Sequence, residues 1–158
     1  MSVNSYRPHV MVLPEDDANR QLANGFHLDV KIQRQMQVLP VAGGWTSVLD
    51  LFNSEHVAGM KQYPNRFVVL LIDFDGQLDR LHRAKAAIPD YLNDRVFILG
   101  AWNEPESLKQ ALGKYESIGL AMAKDCREDT NVTWRHELLQ HNSSELDRLR
   151  KSVRPILF

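Results

Sequence analysis

The sequence predicts a doubly wound α/β domain: a mainly parallel sheet of four or slightly more strands, with helices on both faces and extra C-terminal helices. Three observations carry this prediction. Four short apolar runs are continuous rather than alternating, as in strands covered on both faces. Segments with helical spacing separate them, and parallel neighbours need such right-handed crossovers. At 158 residues, 44% hydrophobic and 25% charged, the chain suits one domain with a substantial core. The α/β core is expected over residues 9–113 and a C-terminal helical extension over 114–158.

The runs "HVMVLP" (9–14), "MQVLPV" (36–41), "FVVLLI" (67–72) and "VFILG" (96–100) are the expected strands. Between them, residues 16–27 carry Leu22, Ala23 and Phe26 on one side, and residues 45–60 carry Val48, Leu49, Phe52, Val57 and Met60. Residues 77–88 carry Leu78, Leu81, Ala84 and Ile88 at the same helical spacing. After the fourth run, "NEPESLKQALG" offers Asn103 as N-cap, Pro105 in the first turn and Gly113 as a stop. The remainder reads as two or three helices, one of them starting at the S-x-x-D of Ser144 and Asp147. These helices pack on the sheet or on a partner chain, either another protein or a second copy.

Bulk properties narrow the function. A formal net charge of −1 gives no general attraction to nucleic acid or to a membrane surface, so a nucleic-acid contact must rest on a local basic patch. The single cysteine, Cys126, excludes an intramolecular disulfide framework and a multi-cysteine zinc site, and fits a reducing compartment. The first residues lack a basic start followed by an apolar stretch, and no run approaches the ~18 apolar residues that span a bilayer. A cytoplasmic location without membrane insertion is the expectation.

In an open parallel sheet, ligands collect beyond the carboxyl ends of the strands. Here those ends carry Glu15, Asp16 and Asp17; Gly43 and Gly44; Asp73 and Asp75; and Asn103, Glu104 and Glu106. Clustered carboxylates repel one another away from water unless protonation, basic neighbours or a cation intervenes. Hard oxygen ligands favour magnesium or manganese, which leave room for phosphate oxygens. The pattern therefore points to a divalent-metal site facing a phosphate-bearing ligand, with the glycines allowing close backbone approach and helix-start amides facing its charge. Each part also has a purely structural reading. Residues 15–17 suit a helix start, and "DFDG" and "AGGW" suit turns.

In order and position these residues resemble the Toprim domain, the metal-binding module of topoisomerases, primases, OLD-family nucleases and recombination proteins. The shared pattern is a glutamate after the first strand, a glycine near the end of the second and Asp-x-Asp after the third. "VMVLPEDD", "VLPVAGGW" and "VVLLIDFDG" supply these within residues 9–113. The resemblance implies that Asp73 and Asp75, with Asp16 nearby, bind magnesium or manganese. It also implies that Glu15 completes the site or acts as general acid/base in phosphodiester chemistry on nucleic acid. Proline precedes Glu15 where the family commonly has a Val-Glu-Gly type sequence, and no topoisomerase-type tyrosine is recognisable.

Gly43, Gly44 and Glu104 are candidate ligand contacts. Arg80, Arg83 and Lys85, from one basic helix, are candidate phosphate contacts, as are Arg148, Arg150, Lys151 and Arg154 from another. The start "HVMVLPEDDANRQL" also resembles a response-regulator receiver, with Asp73 as phosphoacceptor and Lys124 as the one candidate for that family's fifth-strand lysine. A non-catalytic interaction module is the third reading. His136 and His141, five residues apart, do not share a helical face as a metal pair would. Trp45 and Trp102 follow strand ends, where they stack on a base or join the core, and Trp134 anchors the C-terminal helices.

Overall fold

The four apolar runs form β1 (His9–Pro14), β2 (Met36–Val38), β3 (Arg66–Leu71) and β4 (Val96–Leu99). All pair in parallel, in the order β2-β1-β3-β4, so the fold is doubly wound α/β. The structure, a computed structural model, describes residues 3–158. The chain leaves β1 toward β2 on one side, then passes back over β1 to lay down β3 and β4 on the other. This reversal makes a topological switch point between the carboxyl ends of β1 and β3, where such sheets leave a crevice.

Successive strand residues point to opposite faces, and both faces are covered. Val10, Val12, Val69, Phe97 and Leu99 enter a core with α1 (Asp17–His27), α5 (Pro105–Leu112), α6 (Tyr115–Glu128) and α7 (Ser143–Leu157). Met11, Leu13, Val68, Leu70, Val96 and Ile98 enter a second core with α2 (Trp45–Leu51), α3 (Val57–Gln62) and α4 (Asp79–Ala86). Both-face burial is why the runs read as continuous: each side chain contributes roughly 1.5–3 kcal/mol whichever way it points. The helices after residue 113 thus supply much of the first core. A Cβ on Gly25 of α1 would lie 2.1 Å from the Glu116 carbonyl O, and one on Gly119 of α6 2.0 Å from that of Leu22. Backbone meets backbone there, so α1 and α6 form one rigid layer.

Several boundaries differ from the sequence reading, each for a physical reason. β2 stops at Val38 rather than residue 41: Leu39 still donates to Val12 O at 2.8 Å, but Pro14, the next ladder residue of β1, has no N–H to return, and its O is taken by Ala42 N at 3.0 Å. The helix expected over 45–60 is interrupted by a π-helical turn at Phe52–His56. There the Asn53 side chain donates to Leu49 O and to Ala87 O, both at 3.0 Å, tying the wide turn to the end of α4. Asn103 is not an N-cap: Glu104 holds that position on α5, without a side-chain capping bond. Ser144 lies inside α7 because a short 3-10 turn at Gln140–Asn142 leads straight into the helix.

That turn has a second task. Beyond β4 no fifth strand follows among the described residues, so its outer main-chain groups need other partners. Asn142 accepts from Gly100 N at 3.1 Å and donates to Gly100 O at 3.0 Å, while Glu145 accepts from Ile98 N at 2.9 Å. Side chains from the start of α7 therefore stand in for a strand. Among the described residues, no helix is long and apolar enough to cross a membrane.

Candidate functional site

The site is built from what happens as β1 runs out before β3 does. Glu15 N still bonds Leu71 O at 2.9 Å, and then the chain turns into α1. On β3's other side, Ile72 N and Phe74 N continue to β4, reaching Leu99 O and Ala101 O, each at 3.0 Å. Asp73 N points the opposite way, toward the vanished β1. The Glu15 carboxylate takes the missing carbonyl's place, accepting from Asp73 N at 2.6 Å. Glu15 and Asp73, 58 residues apart in sequence, are joined across the switch point.

Asp16 is the N-cap of α1 and accepts from Asn19 N at 3.0 Å. The Asn19 side chain, only 1% exposed, donates from Nδ2 to Asp16 at 2.9 Å and to Asp73 Oδ1 at 3.0 Å. One amide thus holds two carboxylates together. Asn19 did not stand out in the sequence; its place three residues after a capping aspartate was the available signal.

Electrostatics follow from this crowding. Burial pushes Asp73 up to about 7, the Asn19 hydrogen bond opposes the shift, and the negative Asp16 and Glu15 add to it. Burial also raises Glu15, against the pull of the Asp73 and Trp45 amides and of Arg80, with Asp16 again adding to the rise. Arg80, 8% exposed, reaches this corner, but its Nη1 donates to the main-chain O of Asp73 at 2.6 Å rather than to the carboxylate. Its guanidinium lies 4.7 Å from the centre of the Trp45 ring, and that of Arg83 lies 5.0 Å from it. Trp45 is therefore a platform for two arginines at the rim.

The other candidates fall differently. Asp75 stands at the turn with φ 53° and a 60% exposed side chain, 3.9 Å from Arg80. "DFDG" is thus both a turn and, through Asp73, part of the carboxylate group. Gly43 and Gly44 need their positive φ values of 95° and 145°, but their amides donate to Glu15 O at 2.9 and 3.3 Å instead of facing a ligand. They brace the β1 corner. Glu104 is exposed at the end of β4. Among the described residues, no three His, Cys, Asp or Glu side chains are already gathered as a metal-binding group. Glu15 is turned to a main-chain amide, Asp16 to its helix and Asp75 to solvent.

Of the second basic cluster, Arg148, Arg150 and Arg154 are engaged internally, whereas Lys151 is exposed. Arg148 bonds Glu145 at 2.7 Å, Arg150 bonds Thr130 O at 2.5 Å, and Arg154 bonds Arg127 O at 3.0 Å. Lys124 is exposed on α6 rather than placed at a strand end. His141 donates to Gly100 O at 2.7 Å, while His136 accepts from Leu138 N at 3.1 Å. Trp102 sides with the core, its ring 5.2 Å from that of His141. The chain matches no protein-family model, no curated protein and no solved structure.

Proposed function

We propose that this domain binds a divalent cation, magnesium or manganese, at the β1/β3 switch point and through it a phosphate-bearing ligand of nucleic-acid type. The reading rests chiefly on one observation. Asp73 is half-buried beside Asp16 and Glu15, and the arginine at that corner bonds its carbonyl and leaves its carboxylate uncompensated. A cation on hard carboxylate oxygens would relieve that repulsion. Asp73 and Asp16 are the ligands in this reading, and Asp75 is the rim carboxylate able to turn inward. Glu15, fixed by Asp73 N and raised by burial, is suited to hold a proton as general acid or base. Arg80 and Arg83 on Trp45 offer the adjoining positive rim for phosphate. When bound, such an ion neutralises charge on phosphoryl oxygens and activates water.

Manganese titration followed by amide NMR tests this directly. Paramagnetic broadening is expected first at residues 15–17, 43–45 and 72–76, reversed by excess magnesium and absent in Asp73→Asn. No broadening there, or broadening that survives the substitution, overturns the cation site. Incubation of single- and double-stranded oligonucleotides with the manganese-loaded protein then separates binding from cleavage.

A receiver-like reading is favoured by one specific observation: the sheet order β2-β1-β3-β4, with Asp73 facing the acidic end of β1. It requires a stable modification of Asp73 by acetyl phosphate in the presence of magnesium. The cation-and-phosphate-ligand reading expects none, and intact mass measurement decides between them.

A further inference from the structure

The Asn19 amide meets the switch-point acids with one end and is left unpaired at the other. Nδ2 donates to Asp16 Oδ1 at 2.9 Å and to Asp73 Oδ1 at 3.0 Å. Oδ1 belongs to a side chain only 1% exposed and has no hydrogen-bond partner among the described residues. Buried side-chain oxygens are seldom left so, and each exception calls for a reason. The residue itself is fixed, because its main-chain N–H is bonded to Asp16 at the start of α1. Its terminal amide is not, since χ2 of asparagine is broad and roughly two-fold. A half-turn exchanges Oδ1 and Nδ2 with little change of shape.

What lies between the two acids decides which end faces them. With the carboxylates alone, the donor end does, and turning it over would give up both of its bonds. A cation on the carboxylates reverses the preference, because Nδ2 has only donor hydrogens to offer a positive charge whereas Oδ1 has lone pairs. The spacing suits a small, hard ion. With ligand distances of about 2.0–2.1 Å, oxygens on adjacent corners of a magnesium octahedron lie roughly 2.8–3.0 Å apart, against roughly 3.3–3.7 Å at the about 2.3–2.6 Å of calcium. The place now filled by Nδ2 is 2.9 Å and 3.0 Å from the two carboxylate oxygens, and Asp16 and Asp73 stand within hydrogen-bonding reach of each other. Resting on the cation site proposed above, we infer that Asn19 is a further ligand of that site. Its amide turns over when a magnesium-sized ion binds, so that Oδ1 joins Asp16 and Asp73. An amide oxygen is a hard, neutral ligand, and it adds no negative charge to a corner already crowded with it. One side chain thus clamps the acids in the metal-free protein and holds the ion in the loaded one.

Magnesium titration of the full chain, labelled with ¹⁵N and ¹³C and read by NMR at the Asn19 side chain, separates this ligand from the site as a whole. In the metal-free protein the Asn19 Nδ2 protons are expected downfield of other asparagine side chains, as donors to carboxylates. On saturation they are expected to move upfield and the Asn19 Cγ to move downfield, in step with main-chain amide shifts at residues 15–17 and 72–76. Asn19→Ala should weaken magnesium by about tenfold or more. Asn19→Asp, which presents an oxygen in either orientation, should retain it. Saturable magnesium shifts at residues 15–17 and 72–76 with the Asn19 Nδ2 protons and Cγ unmoved would overturn the ligand and leave the cation site standing. So would an unaltered magnesium affinity in a folded Asn19→Ala protein. No saturable shift anywhere in those segments would overturn the cation site, and Asn19 as its ligand with it.

Discussion

Two carboxylates, the buried Glu145 on α7 beside β4 and the half-buried Asp73 at the end of β3, are treated in opposite ways. Glu145, at the β4 edge, has every oxygen answered. Lys85 is 2.6 Å and Arg148 2.7 Å from Oε1, and Ile98 N donates to Oε2. Although burial opposes ionisation, the lysine, the amide and the arginine together hold it below its ordinary value. Asp73 receives one neutral amide and two negative neighbours, and rises instead. The difference teaches which of the two is architecture. A chain that supplies Lys85 and Arg148 to one carboxylate turns Arg80 to the main-chain O of Asp73 and leaves the second carboxylate with two negative neighbours.

The largest test of this contrast is Glu145→Gln. It strands two cations and weakens the edge of β4, and should cost about 3 kcal/mol in chemical denaturation at pH 7. Because its folded value is depressed, Glu145 contributes fully above its ordinary 4.5 and loses that contribution as pH falls through the lower folded value. Wild type and variant should therefore converge in acid. A variant as stable as wild type at pH 7 would break the comparison.

Next comes Asn19→Ala, expected to cost about 2 kcal/mol by removing the donor that Asp16 and Asp73 share. Carboxyl NMR should show Asp73 titrating still higher than in wild type. A downward move would mean that Asn19 is not what holds the pair together.

Asp73→Asn goes the other way. The folded protein keeps a proton on Asp73 up to about 7, whereas the unfolded chain releases it near 3.8. Stability from this group is thus full below about 4 and falls as pH rises to about 7. Removing the charge should stabilise the protein by roughly 1–2 kcal/mol at pH 8, a linkage figure reduced for solvent reaching the site, and by almost nothing at pH 4. Thermal melts at the two pH values check this; destabilisation at pH 8 would place Asp73 with Glu145. The smallest effect belongs to Asp75→Asn. It is exposed, and asparagine tolerates its positive φ, so the change should stay within about 0.5 kcal/mol.

The layered architecture was legible in sequence because burial on both faces leaves continuous apolar runs separated by helical spacing. Glu15, Asp16 and Asp73 were legible as strand-end acids because the rule for open sheets names the place before any contact is known. What the acids do to one another was not, since it depends on where β1 ends relative to β3 and on Asn19, whose amide looks like any other helix residue. The structural role of Arg148 and Arg150 was hidden for a related reason. Spacing shows that charges share a helix, but only packing shows that Arg148 reaches Asn93 O and Arg150 reaches Thr130 O. The π-helical turn at Phe52–His56 has no period of its own to read.

The side chains at the β4 edge carry one more consequence, about assembly in time. Ile98 and Gly100 are complete only when Glu145 and Asn142 reach them, more than forty residues later in the chain. During synthesis the strand is made well before its cover, and in that interval its free edge can recruit a strand from another nascent chain. Once α7 docks, that opportunity closes. The helix covers that edge late, and truncation before residue 142, which also strips Leu146, Leu149, Val153 and Leu157 from the first core, should yield a protein that self-associates as well as losing stability, as light scattering and denaturation would read.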